Sequence, residues 1–167
     1  MIEAALPKTT ARVLELFRAR GLKVATAESC TGGLVAAALT EIAGSSDVVD
    51  RGFITYSNAA KEAMLGVPSA TLERYGAVSA ETAAAMASGA LQNSLADIAV
   101  AVTGIAGPGG GSQQKPVGLV HFAAASRSGQ LVARERRYGD IGRRSVRERS
   151  VAEALELLET LVREANV

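Results

Sequence analysis

Three short segments carry residue types able to do chemistry. The first is Glu28-Ser29-Cys30-Thr31-Gly32-Gly33, which lies between an apolar run and an Ala/Leu-rich stretch. A strand–turn–helix passage of this kind lets backbone approach a ligand closely at its glycines. It also offers the free N–H groups of a helix start to an anion, either a bound phosphate or a developing oxyanion. Ser29 stands where a nucleophile would stand. The segment is not the G-x-S-x-G elbow, because positions 27 and 31 are Ala and Thr. A plainer role for Ser29 is to cap the following helix. Cys30 is intrinsically the stronger nucleophile. Neighbours in a turn point in different directions, however, and a small buried thiol fits the same position.

The second segment is Tyr56-Ser57-Asn58-Ala59-Ala60-Lys61, with Lys61 about one turn into a helix capped by Ser57. A lysine held in a dry pocket loses its proton more readily and can serve as a general base, whereas a lone helix lysine is ordinarily solvated. Tyr56 can donate a hydrogen bond or cover a core edge. The third segment runs Thr103-Gly104-Ile105-Ala106-Gly107-Pro108-Gly109-Gly110-Gly111-Ser112. Its N–H groups can form an anion nest, but the spacing matches neither the P-loop nor the dinucleotide fingerprint. It therefore reads as a ligand loop or a lid. His121, between Val120 and Phe122 in an apolar run, reads as a strand histidine. Arg143 and Arg147 share a helix face, from which one can reach a phosphate.

The composition narrows the chemistry. The 167 residues hold one His and one Cys, which excludes an internal disulfide and zinc sites of the Cys/His type. No metal and no cofactor are expected. Lys plus Arg number 18 and Asp plus Glu 17, for a net charge of +1, so no bulk field draws nucleic acid or a membrane surface. There is no basic leader and no run near the ~20 apolar residues of a span, so a cytoplasmic protein is expected.

The elements that must position these segments alternate. Helices are expected from Leu6-Pro7-Lys8 to Gly21, over 34–43, 58–65, 69–75, 80–94 and about 142–165. Strands are expected over 22–27, 48–56, 98–103, 117–125 and 131–138, the last two joined as a hairpin through Ser126-Arg127-Ser128-Gly129. Early strands separated by helices pair in parallel through crossovers, and a hairpin makes the sheet mixed. The expectation is one domain over 1–167: an α/β chain forming a three-layer α/β/α sandwich on a mixed, mostly parallel five-stranded sheet. All three chemical segments follow strands, so they converge beyond one end of the sheet, where ligands collect.

Taken in order, the three segments resemble the CinA C-terminal domain family, in its stand-alone form of nicotinamide-nucleotide amidohydrolases. The resemblance covers about residues 8 to 163. It implies hydrolysis of nicotinamide mononucleotide to nicotinate mononucleotide and ammonia, in pyridine nucleotide salvage, by a serine amidohydrolase. The catalytic residues it implies are Ser29 as nucleophile, Lys61 as base and Tyr56 as a supporting proton carrier. For substrate binding it implies Thr31, Gly32, Gly33 and Asn58 from the first two segments. Thr103, Gly104, Gly107, Gly109 and Gly110 join them from the third, with Arg143 from a looser match. The Thr31–Gly33 N–H groups would hold the oxyanion. A small-molecule nucleotide is the expected partner, and a homo-oligomer is compatible. The alternative is a non-catalytic nucleotide-binding accessory module of the competence-linked kind.

Overall fold

A computed structural model describes residues 2–165. The chain runs α1 (Ile2–Ala19), β1 (Val24–Glu28), α2 (Leu34–Thr40), a 3-10 turn (Ser45–Asp47), β2 (Val49–Ile54), α3 (Asn58–Leu65) and α4 (Ser69–Tyr75). It continues through α5 (Ala80–Gln92), β3 (Ile98–Gly104), β4 (Leu119–Ser126), β5 (Leu131–Arg137) and α6 (Arg143–Glu164). The sheet order is β2-β1-β3-β4-β5. β1 pairs in parallel with β2 and with β3, while the β3–β4 and β4–β5 pairs are antiparallel. Four strands therefore run one way and β4 alone runs against them, the mixed three-layer α/β architecture expected from the sequence.

Strand alternation builds two unlike cores. Val24 on β1, Ile98, Val100 and Val102 on β3, and Val120 and Phe122 on β4 face one side, where they meet Phe17 of α1, Val35 of α2 and Leu155 of α6. The intervening residues are alanines: Ala25, Ala27, Ala99, Ala101, Ala123 and Ala125. Against this shallow face lies α5, itself presenting Ala83, Met86, Ala87 and Ala90. Small residues on both surfaces let helix and sheet approach closely. The period of two along a strand is what separates the large residues from the small ones.

The boundaries differ from expectation where local chemistry intervenes. α1 begins at Ile2, which leaves Pro7 inside the helix instead of in its first turn. The Ile2–Leu6 stretch is a good enough helix former to extend past a proline that removes one N–H donor. α2 stops at Thr40, whose hydroxyl turns back onto Ala36 O at 2.8 Å, and Gly44 instead starts the 3-10 turn with φ 82°. β4 begins at Leu119, because residues 117 and 118 lie in a turn that closes with Leu119 N donating to Pro116 O at 3.1 Å.

Gly89 on α5 is a point of close approach. An added Cβ would sit 2.0 Å from the carbonyl oxygen of Leu65, the last residue of α3. Gly89→Ala is therefore expected to lower stability by about 1–3 kcal/mol by forcing α3 and α5 apart. Urea unfolding reads this directly, and an unchanged midpoint would contradict the contact.

Candidate functional site

The parallel strands β1, β2 and β3 end at the same edge of the sheet. The connection from β1 leads through α2 to β2 on one side, while β3 lies on the other side of β1. The carboxyl end of β1 is thus the topological switch point, the usual ligand crevice of an open α/β sheet. Ser29 is the first residue beyond it.

Alternation continues through this end and divides two neighbours. Glu28 points towards α2, where its buried carboxylate accepts from Val35 N at 2.8 Å and Ala36 N at 3.1 Å. The N-terminus of α2 therefore already holds an anion, supplied by the chain itself. Ser29 points the other way, towards α3. Its own N–H donates to Val102 O on β3 at 2.9 Å, and its carbonyl accepts from Gly32 N at 3.0 Å. Ser29 is not a helix cap: Gly33 occupies the N-cap position of α2 and makes no side-chain cap bond. Gly32 and Gly33 carry φ of 57° and 103°, which other residues adopt only under strain.

Lys61 comes from α3, whose start is fixed by Ser57 accepting from Ala60 N at 3.0 Å. It is 1% exposed. Its Nζ lies 2.9 Å from Ser29 Oγ and donates to Thr55 O at 2.7 Å. No carboxylate pairs with it among the described residues. Burial disfavours the ammonium and lowers the Lys61 pKa below its ordinary value. The arrangement is a hydroxyl held against an amine that readily gives up its proton, the pairing that activates a serine.

These two groups open into a cavity of about 270 Å³. Gly104, Gly107, Gly109 and Gly110 line it from the third segment, with Tyr56 and Arg143 at another part of the lining. Arg143 bridges the two, donating to Gly107 O at 3.0 Å and to the Tyr56 hydroxyl at 2.7 Å. Tyr56 is 60% exposed, and its hydroxyl partner is this arginine. Thr103 also lines the cavity, but its hydroxyl is engaged with Ala77 O at 2.6 Å, which ties the α4–α5 connection to β3.

Other residues singled out from the sequence lie elsewhere. Thr31, Gly32 and Gly33 are not among the lining, since the turn tucks Thr31 into the interior, fully buried, with its hydroxyl unpartnered. The N–H of Gly32 is already given to Ser29 O and so is not free for an oxyanion. Asn58 is exposed at the first position of α3, outside the cavity. Cys30 does line the cavity, but burial pushes its thiol up to about 12, which keeps it uncharged. His121 borders a separate depression with Leu119 and Arg137. It is 3.9 Å from Glu135, and burial holds it below its usual pKa and therefore neutral.

Sequence reasoning missed three contributors: Glu28, Thr55 and the true role of Arg147. Arg147 lies one turn beyond Arg143 on α6, yet it is not among the residues that line the cavity. Its Nε donates to Cys30 O at 3.1 Å and its Nη2 to Thr31 O at 3.2 Å. The signal for Glu28 was available, because strand period alone sends it opposite to Ser29.

Comparison with known proteins gives a consistent result. The sequence model of the CinA C-terminal domain matches residues 7–162. The chain is 49% identical over 165 residues to a nicotinamide-nucleotide amidohydrolase PncC of Enterobacter agglomerans, covering 98% of each chain. It is 57% identical over 147 residues, 87% of its length, to a CinA-like protein of Synechococcus sp., but spans only 35% of that longer protein. The crystal structure of the competence/damage inducible protein CihA from Agrobacterium tumefaciens superposes with a TM-score of 0.92 at 60% identity, over 93% of this chain and 94% of that one.

The buried amine has a stability cost with a definite pH sign. The folded Lys61 pKa lies below the value of the unfolded chain, so the cost is fully present at low pH and fades as pH rises towards 10.5. Lys61→Met is expected to stabilise the fold by about 0.5–2 kcal/mol near neutrality. That advantage should shrink as pH approaches the ordinary lysine range. Thermal melts of both proteins between pH 6 and 10 check it, and a destabilised Lys61→Met would refute the uncompensated burial.

Proposed function

Because the chain belongs to the CinA C-terminal domain family, we propose that it hydrolyses the carboxamide of nicotinamide mononucleotide to nicotinate mononucleotide and ammonia. Ser29 is the nucleophile and Lys61 its general base. The observation that carries this reading is the 2.9 Å contact between Ser29 Oγ and an amine buried without a carboxylate partner. A purely binding module has no use for that pair, which favours an enzyme over the accessory role.

The reaction follows from the geometry. Neutral Lys61 takes the Ser29 proton as Oγ bonds to the amide carbon, and the carbonyl oxygen becomes an oxyanion. The new ammonium is held by Thr55 O. When the C–N bond breaks, Lys61 returns that proton to the departing nitrogen and ammonia leaves. Lys61 then deprotonates a water that attacks the acyl-enzyme, which restores the Ser29 hydroxyl and releases the carboxylate. The glycines of the third segment let the substrate approach the backbone closely. Arg143 fixes that segment through Gly107 O while setting the Tyr56 hydroxyl at the cavity rim.

Ammonia release from nicotinamide mononucleotide tests the reading. Ser29→Ala and Lys61→Met are each expected to lower kcat by about a thousandfold or more. Cys30→Ser and His121→Ala should stay within a fewfold of the native rate. Full activity in folded Ser29→Ala would refute the mechanism. In the native enzyme kcat/KM should rise with pH as Lys61 deprotonates, with a midpoint below the ordinary lysine value of 10.5. A rate that falls across that range would contradict Lys61 as the base.

A further inference from the structure

The glycine-rich third segment is anchored at its base by the sheet. Ile105 N donates to Leu119 O at 2.9 Å, and Gly118 N donates to Ile105 O at 2.8 Å. Beyond that pair, two cationic side chains bond it to other elements among the described residues. One is Arg143, on Gly107 O. The other is the segment's own Lys115, whose Nζ donates to the carbonyl of Tyr75, the last residue of α4. A tight turn presents Lys115, with Ser112 N on Lys115 O at 2.7 Å and Lys115 N on Ser112 Oγ at 3.0 Å. Carbonyls at a helix C-terminus lack intrahelical partners and carry the negative end of the dipole, so an ammonium is favoured there. Gly76 leaves it room: an added Cβ would lie 2.9 Å from Nζ, at a φ of 77° that suits glycine.

Tyr75 O is the first of three consecutive carbonyls held by side chains. Gly76 O accepts from Ser79 Oγ at 3.1 Å and from Thr82 Oγ1 at 2.7 Å. Ala77 O accepts from Thr103 Oγ1 at 2.6 Å. The α4–α5 connection is thus tied to the start of α5, to β3 and, through Lys115, to the third segment. Ala77 and Val78 of this connection line the cavity together with the glycines of that segment. Lys115 itself does not line it. It borders the separate depression beside His121, with Val78 common to both. The ammonium therefore acts from outside the cavity, on the backbone that carries one of its walls.

We propose that Lys115 is a positioning residue for substrate binding: it clasps the glycine-rich segment to the α4–α5 connection and so sets the spacing of two cavity walls. The identity of the substrate rests on the amidohydrolase reading above. A hydrogen bond from a charged donor is among the stronger ones a chain makes, and a segment rich in glycine has little stiffness of its own. Fixing it beforehand removes an ordering cost from binding. Ser29 and Lys61 come from β1 and α3, with which Lys115 makes no hydrogen bond, so its part is in KM and not in kcat.

Steady-state kinetics of Lys115→Met and Lys115→Arg test the clasp. Lys115→Met is expected to raise KM for nicotinamide mononucleotide about 5- to 30-fold while kcat stays within about threefold. Lys115→Arg keeps a cation for Tyr75 O and should recover most of the loss. Kcat/KM for nicotinamide riboside, which lacks the phosphate, should fall by the same factor. Limited digestion with a broad-specificity protease should cut Lys115→Met faster within residues 107–115 and nowhere else. If Lys115→Met folds poorly, Lys115→Gln carries the same comparisons. A native KM in the methionine variant overturns the proposal, as does a loss confined to kcat or one that the arginine variant fails to recover. A loss seen with the mononucleotide and not with the riboside would make Lys115 a phosphate ligand, which also overturns it. If the native protein releases no ammonia, the amidohydrolase reading fails by itself. The digestion pattern then decides the clasp: faster cutting confined to 107–115 supports it, and an unchanged pattern overturns it.

Discussion

An ammonium group taken out of water without a counter-charge is among the least favourable things a fold can bury, and Lys61 is buried in that way. Its amine has a backbone carbonyl and a serine hydroxyl as neighbours and no carboxylate. The surrounding structure serves to sustain that condition. α3 must be capped and docked to bring the side chain inward, β1 must end where Ser29 meets it, and α5 must press α3 into place through the close contact at Gly89. A carboxylate within reach would relieve the burial and hold the proton in place, which would deny the proposed reaction its free amine. The site thus gives up some stability for reactivity.

The second constraint is the alternation at the end of β1. Two adjacent residues, Glu28 and Ser29, are sent to opposite faces and do unrelated jobs. The carboxylate satisfies the helix N-terminus on one side, and the hydroxyl faces the amine on the other. The separation explains how an acidic residue can stand next in sequence to the nucleophile without acting as the partner of Lys61. It also commits the N–H groups at the start of α2 to the chain's own carboxylate.

Most of the fold was legible in the residues. Helix stops at Gly21 and Gly66, the Ser57 and Ser79 caps, and the apolar strands follow from local chemistry that tertiary packing leaves intact. The boundaries that moved did so through short-range bonds that propensity alone does not weigh, such as the Thr40 hydroxyl on Ala36 O and the turn from Pro116 to Leu119. In the site, the three segments and their convergence were readable from residue type and order, while the pairing of Ser29 with Lys61 was implied only by the family those segments resemble. The inward tilt of Thr31 and the reach of Arg147 to two carbonyls were not. They depend on where α6 lies against the turn before α2, a relation between residues 117 and 116 positions apart in sequence.

The two faces of the sheet also set unequal terms for sequence change. On the side of Val100, Phe122 and Leu155, large side chains interdigitate, and one branched residue can be traded for another as long as volume is kept. On the alanine side there is no such currency of shape. Ala99, Ala101 and Ala123 can only shrink to glycine or grow into the helix that lies on them. Drift in this lineage should therefore run through one half of the core and leave the other nearly fixed. The fixed half is the one that carries α3, so the position of the reactive amine is guarded by residues that have no chemistry of their own.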